Sequence, residues 1–586
     1  MRNRHPNPEL RRAEWRNLCG EWEFGFDFGN SLYTGYREVN MTNFKWTFLH
    51  LEKNFTQKIN VPFSPESKLS GLEYKDFINA CWYRKIIDVS DRRGKRVILH
   101  FEAAFHTSHL FVNGKFVGNH RGGYTPFEFD ISDFLTDDKN EIILHCSGDS
   151  RNCTQPSGKQ SPDYQPNGCY YDRNSGIWGP VWMEYVPETY IKNVKYTADF
   201  ANNLVRITLS VCGISKGEIA IRSFYKNEPT GNCNYRYDGQ GEVVCELKLS
   251  DMHLWEVEKG GIYDAEIVLK TDNGKDEISS YFGLRKLQLD EKGLKINGKR
   301  IFQRLVLDQG YYPDGLYTAP DDSCFKNDIK LSKAMGFNGA RLHQKVFDRT
   351  FLYEADIAGY ICWGEYPSWG FDVSRDDALA YFLPEWVEAV ERDYNHPCII
   401  GWCPMNENND VCGRHQNETF VRQIYLTTKK LDKTRPVIDA SGWFHVNCDI
   451  YDIHDYSQGE EFVNRFSEFE EGDVYDSNEL QKEYAYKGQP YFLSEYGGLK
   501  YPDDNSGWGY NKEKINSEED FISRLLLMQK TIYNNPKISA ACYTQLYDVQ
   551  HERNGLYYYD RKPKFSIDNI KRINGIISAK SKYEEL

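Results

Sequence analysis

Along the first third of the chain, apolar and polar residues alternate in short runs, the period-two pattern of strands with one buried face. Such runs are ACWYRKIIDV (80–89), KRVILHFEAA (95–104), HLFVNGKFVG (109–118) and NEIILHCSG (140–148), parted by Gly, Asn and Asp turns. Asn113-Gly114, between HLFV and KFVG, predicts a two-residue hairpin, because both central turn positions need positive φ. Residues 1–186 are therefore expected to form a β-sandwich. From 187 to 286 the runs continue (NLVRITLSVC, GEIAIRSFY, EVVCELKLS, YDAEIVLKT) with the strand length and spacing of a second, immunoglobulin-like sandwich. After Leu287 apolar strands alternate with amphipathic helices, the mark of parallel β/α units. Eight strands are predicted over 287–586: RIFQRLVL, FNGARLH, GYICWGEY, IIGWCPMNE, PVIDASG, DIYDIHDY, PYFLSEYGG and AACYTQLYD. They suit a (β/α)8 TIM barrel, with helices expected over Asp321 to Met335 and Ala378 to Tyr394, the latter stopped by Asn395-His396-Pro397.

Polar residues that end a buried strand need a reason, and a barrel builds its active site at the carboxyl ends of its strands. Asn406 and Glu407 end the fourth predicted strand, and Glu495 ends the seventh, where Gly497-Gly498 allow a sharp turn. Two facing carboxylates are what cleavage of a glycosidic bond needs: one protonates the leaving oxygen, and the other attacks the anomeric carbon or activates water. Asn406 can hydrogen-bond the sugar 2-hydroxyl, a contact that strengthens as positive charge develops. The plain alternative is a pair of rim carboxylates in salt bridges.

At 586 residues the chain is too long for one core. Aromatics reach 15%, more than cores require and suited to stacking on sugars. A formal charge of −14 without a basic patch argues against a nucleic-acid partner. No apolar run has the length of a membrane span, and the basic opening MRNRHPNPEL lacks a signal-peptide core, so a cytoplasmic protein with no membrane partner is expected. The fifteen cysteines are odd in number, scattered and without a CxxC pair, which predicts reduced thiols. Sequons at Asn54, Asn152 and Asn417 read as chance matches.

WCPMNEN and FLSEYGG resemble the two catalytic motifs of glycoside hydrolase family 2, the family of β-galactosidases, β-glucuronidases and β-mannosidases. CWYRK, FEAAFHTSHLFVNGKFVGNHRGGYTPFEFDIS, SGIWGPVW, FGLRK and GLYYYDRKPK extend the resemblance over nearly the whole chain. It implies a jelly-roll sugar-binding domain, an immunoglobulin-like domain and a catalytic barrel. It further implies retention of configuration, with Glu407 as acid/base and Glu495 as nucleophile, and no organic or redox cofactor; no metal is expected. Tyr456 resembles the tyrosine that hydrogen-bonds the nucleophile, with His454 two residues earlier. Arg341 is expected beside Glu495, keeping it ionised, and His343 follows two residues later where relatives place a histidine three later.

Two departures bear on substrate. Where many members carry a histidine that contacts the sugar, QRLVLDQG offers Asp308, suited to a ligand with hydroxyls to donate and repulsive to a sugar carboxylate. Glucuronidases of the family carry an Asn-x-Lys motif before the final DRKPK, and HERNGLYYYDRKPK lacks it, although Arg553 offers a cation there. A neutral β-hexoside, galactoside first, is expected, with glucuronide, β-mannoside and α-L-arabinopyranoside as alternatives. Trp363, Trp369, Trp508 and Tyr543 are candidates for stacking on the sugar, each equally explained as buried scaffold. Tyr171 and Asp172 lie in a loop that reaches the active site in relatives. A rival class, a carbohydrate-binding protein that keeps the fold without turnover, and a third, a structural β scaffold, leave the paired glutamates unexplained. Homo-oligomerisation stays open.

Overall fold

The computed structural model describes residues 4–32, 55–136, 138–408, 417–442, 445–469, 473–476, 486–502 and 506–578. The sequon at Asn54 lies outside them. The first β-rich region places a six-stranded sheet, with Ala80–Asp88, Lys139–Ser147 and Thr107–Val112 at its centre, against a four-stranded sheet that includes Arg96–Phe101 and Val181–Val186. Alternate residues of these strands, among them Tyr83, Leu99, Phe101, Leu110, Leu144 and Val181, fill the shared core. Asn113 and Gly114 both have positive φ, as the predicted hairpin demands. A three-stranded and a four-stranded antiparallel sheet follow over Tyr190–Phe282, closed on Ile207, Leu209, Ile219, Ile221 and Ile267.

Arg12 joins the two sandwiches. Its guanidinium meets Glu184 at 2.8 Å and Asp276 at 2.7 Å, with all three buried. Burial alone pushes Glu184 up, but the charge of Arg12 and a hydrogen bond from His100 hold it at about 2.

The remainder of the chain forms a curled sheet of seven parallel strands. They are β1 (Gln303–Asp308), β2 (Gly339–Leu342), β3 (Ile361–Glu365), β4 (Ile399–Cys403), β5 (Tyr451–Asp455), β6 (Tyr491–Gly497) and β7 (Ile538–Thr544), ordered β4-β3-β2-β1-β7-β6-β5. Two intervening helices, Ser323–Ala334 and Ala378–Asp393, fall where the periodicity predicts them. The expected eighth strand, PVIDASG, is held to the β4 side only by isolated bridges at Val437 and Ser441. Asp439 explains the departure: its carboxylate accepts hydrogen bonds from the backbone N–H groups of Ala440, Val446 and Asn447, turning the chain away from a ladder. The described cysteines are free thiols, and no described helix is long and apolar enough to cross a membrane.

Arg12→Met should leave two buried carboxylates unpaired and cost about 3 to 5 kcal/mol, read as a lowered Tm in calorimetry. Because Glu184 is depressed below its ordinary value of 4.5, its stabilisation is complete above that value and lost as pH falls toward 2. The Tm difference between wild type and Arg12→Met should therefore narrow below pH 4.5.

Candidate active site

The mouth of the barrel is organised by one guanidinium. Arg341, near the carboxyl end of β2, is 1% exposed. Its Nε donates to Glu365 Oε1 at 2.7 Å, its Nη1 to Ser494 O at 2.8 Å and Glu495 Oε1 at 3.2 Å, and its Nη2 to Asn406 Oδ1 at 2.9 Å. Burial disfavours its charge, but Glu365 and Glu495 outweigh that and raise its pKa further. Burial pushes Glu365 up in turn, and the charge of Arg341 and a hydrogen bond from His343 hold it below the ordinary carboxylate range. His343 Nδ1 lies 3.1 Å from Glu365 Oε2.

Glu495, on β6, receives a hydrogen bond on Oε2 from the Tyr456 hydroxyl, whose oxygen also lies 3.2 Å from Thr544 Oγ1. Burial first, and then the charge of Glu495, raise the Tyr456 phenol well above its usual range, so it donates while neutral. Tyr510 stacks on Tyr456 with ring centroids 3.5 Å apart, and Trp508 meets Tyr510 edge-on.

Glu407 follows β4 in left-handed backbone, with φ at +45°, strain of the kind that gathers at functional sites. His454 Nδ1 lies 2.7 Å from its Oε1. Burial alone raises Glu407, but His454, Lys159 and His343 hold it below the ordinary range. His454 is raised, because Glu495 and Glu407 outweigh its burial. Both shifts favour the imidazole over Glu407 as holder of the pair's proton, and its Nε2 lies 3.1 Å from Ser441 Oγ and 3.3 Å from Arg341 Nη1. Carboxylate oxygens of Glu407 and Glu495 and a ring nitrogen of His454 all lie within 4.8 Å of one another. Asn406 Nδ2 is buried and has no partner among the described residues, which leaves a donor for a ligand. A cleft of about 580 Å³, lined by Asn406, Glu407, Trp369, Tyr170, Phe371 and Cys169, opens beside the pair. Facing carboxylates, a tuned proton donor and an aromatic wall are equipped for acid/base and nucleophilic chemistry on a polar ligand.

Residues 55–151 match the family model of the glycosyl hydrolases family 2 sugar binding domain, and residues 321–578 match that of the family's TIM barrel domain. The chain belongs to glycoside hydrolase family 2. A β-galactosidase of Thermoanaerobacter pseudethanolicus is 28% identical over 375 residues, covering 62% of this chain but 48% of that relative. A second, from Thermoanaerobacterium thermosulfurigenes, is 24% identical over 79% of this chain and 63% of its own length. This chain thus spans about half to under two thirds of these relatives. A β-glucuronidase of Streptococcus agalactiae is 23% identical over 87% of this chain and 91% of its own. In fold, the chain resembles a β-glucuronidase from Ruminococcus gnavus in complex with D-glucuronic acid, with a TM-score of 0.76 and 18% identity over 97% of this chain and 99% of that one.

Of the expected site residues, the family 2 barrel gathers Glu407, Glu495, Asn406, Tyr456, Arg341, His343 and His454 at one mouth, with Trp508 at its rim. Three expectations are corrected. Asp308 is buried beside Asp328 of the helix Ser323–Ala334, and its Oδ1 accepts hydrogen bonds from Tyr547 and Gly310 N, which ties it to the helix layer; burial, and then Asp328, push it up to about 6. Trp363 lies within β3, and its Nε1 donates to Gln303 at the start of β1, the end opposite the mouth; Gly401 leaves room for its ring. Tyr543 packs edge-on against Tyr496, whose hydroxyl meets Gln529 of the helix Glu518–Asn534, so it faces the helix layer. Asp172 is taken up by Lys75 and Gln550.

The sequence reading missed Glu365, although GYICWGEY ends in a glutamate in the same way as the fourth and seventh predicted strands. It missed Thr544 by one residue, the step that turns a strand side chain to the other face. Lys159, Glu552 and Tyr510 come from loops and left no periodic signal.

His454→Asn removes the group that holds Glu407 ionised. In wild type the basic limb of the pH profile of kcat/KM reports loss of the proton kept on His454, which is raised above its usual 6.5 by Glu495 and Glu407; in this variant it reports Glu407 alone and should move to lower pH. A limb unmoved from wild type would contradict the pairing.

Proposed function

We propose that this chain is a retaining exo-β-glycosidase that releases a terminal neutral sugar, with a β-galactoside as the first candidate. The observation that carries the reading is the separation of Glu407 and Glu495: oxygens within 4.8 Å are nearer the roughly 5 Å of retaining enzymes than the roughly 6.5 to 9.5 Å of inverting ones. Glu495, oriented by Tyr456 and held beside Arg341, attacks the anomeric carbon. Glu407 takes up the proton kept on His454 and delivers it to the leaving oxygen, then draws a proton from the water that cleaves the glycosyl-enzyme. The free Nδ2 of Asn406 is placed to bond a sugar hydroxyl as the transition state develops charge. Loops from the first sandwich and from residues 506–510 wall the mouth, which favours one terminal sugar over an extended chain.

A neutral sugar is favoured by HERNG, which lacks the Asn-x-Lys motif and presents buried Glu552. A β-glucuronide is the second reading, supported by the Streptococcus agalactiae β-glucuronidase that matches over most of both chains.

A panel of p-nitrophenyl β-galactoside, β-glucuronide, β-mannoside, β-glucoside and α-L-arabinopyranoside tests this. Release is expected from a neutral sugar, absent in Glu495→Gln and slowed about 10²- to 10⁴-fold in Glu407→Gln. NMR of the first-formed product should show retained configuration; inversion would sink the mechanism, and preference for the glucuronide would sink the substrate.

A further inference from the structure

Lys159 is a buried residue whose ammonium has no hydrogen-bonding partner among the described residues. It is 4% exposed, and among the described residues its Nζ makes no hydrogen bond or ion pair, lying instead 3.8 Å from the centroid of the Trp369 ring. An ammonium carries three donors and is costly to bury when they are unmet. A ring face offsets only part of that cost.

The residue belongs to the loop that the first sandwich extends over the barrel mouth. Gly158 N donates to Trp369 O and Pro367 O, and Tyr171 N donates to Lys159 O at 2.7 Å. A Cβ at position 158 would stand 2.7 Å from Gln344 O, so only glycine permits this approach. Burial disfavours the ammonium's charge, but Cys169 first and then Glu552, Glu407 and Glu495 outweigh it, and Trp369, on whose ring it rests, lines the cleft with Cys169 and Glu407.

Glu552 arrives from the other side of the same loop. It is 2% exposed, and its two oxygens accept from Tyr171 OH and Asn554 Nδ2. Tyr171 therefore holds Lys159 by its backbone and Glu552 by its hydroxyl. It sets the spacing of an ammonium and a carboxylate that are not themselves joined by an ion pair. Around the mouth, the cations Arg341, His454 and Lys159 face the carboxylates Glu365, Glu407, Glu495 and Glu552. A ligand that brought a further negative charge would deepen this imbalance, whereas hydroxyl groups satisfy both members of the separated pair.

We propose that Lys159 and Glu552 are specificity-determining residues that hold two hydroxyl groups of a neutral sugar, Lys159 donating to one and Glu552 accepting from the other. This deepens the glycosidase reading and rests on it. The test compares kcat/KM for the best neutral aryl β-glycoside and its monodeoxy analogues on wild type, Lys159→Met and Glu552→Gln. In wild type, loss of each of two hydroxyls should cost about 100-fold or more, because it strands a buried polar group. In Lys159→Met one of those penalties should shrink to a few-fold while the other persists, and Glu552→Gln should relieve the second. A structural role would lower all substrates together and leave the penalties unchanged, which would overturn the proposal. Two further outcomes also overturn it: a flat deoxy profile in wild type, which needs no variant to fold, or selective loss of glucuronide turnover in Lys159→Met. Failure of the glycosidase reading shows differently, as no release from any aryl glycoside by wild type, and removes the basis of the proposal with it.

Discussion

The mouth of the barrel depends on a charge that water cannot reach. The Arg341 guanidinium is stable in the barrel only because Glu365, Glu495, Asn406 and the Ser494 carbonyl surround it. Those partners come from β3, β6 and the segment after β4, so satisfying one cation on β2 draws the strand ends together. The same fork geometry that meets Glu365 at one edge presents Glu495 and Asn406 at the other. Placement of Glu495 and of Asn406, next to Glu407, are thus two results of a single desolvated charge.

Trp369 couples this centre to the rest of the molecule. Its Nε1 donates to Asn406 O, its carbonyl accepts from Ser157 and Gly158, and its ring carries Lys159 on one side of a contact set that includes Tyr170. Docking of the first sandwich and placement of Asn406 therefore share one residue. Glu407 and Glu495 stand within reach of one another because β4 and β6 curl into the same mouth, but the wall around them is built from a region more than two hundred residues away in sequence.

Much of this was legible before any coordinates. Period-two runs placed the two sandwiches, Asn113-Gly114 placed a hairpin with the required positive φ, and strand-end polarity singled out Asn406, Glu407 and Glu495. Where the reading failed, it failed for local reasons with a common physical form. Tyr543 and Thr544 differ by one step of strand alternation, and only the register of β7 against β6 decides which faces the ligand. Trp363 has the composition of a stacking residue, yet its position along β3 points it to the floor of the barrel. Asp308 looked free until Tyr547, 239 residues later, closed on it.

The sequence by itself determined the element types, the class of fold and the paired acids, because periodicity and strand-end polarity are properties of neighbouring residues. Tertiary structure alone decided which polar groups are satisfied and which are left for a ligand. Asp308 Oδ1 is taken up by Tyr547 and Gly310, while Asn406 Nδ2 is buried without a partner among the described residues and Lys159 Nζ rests on the Trp369 ring. That outcome turns on contacts between residues far apart in the chain, and on burial, which fixes the cost of an unmet charge and hence what the mouth can hold.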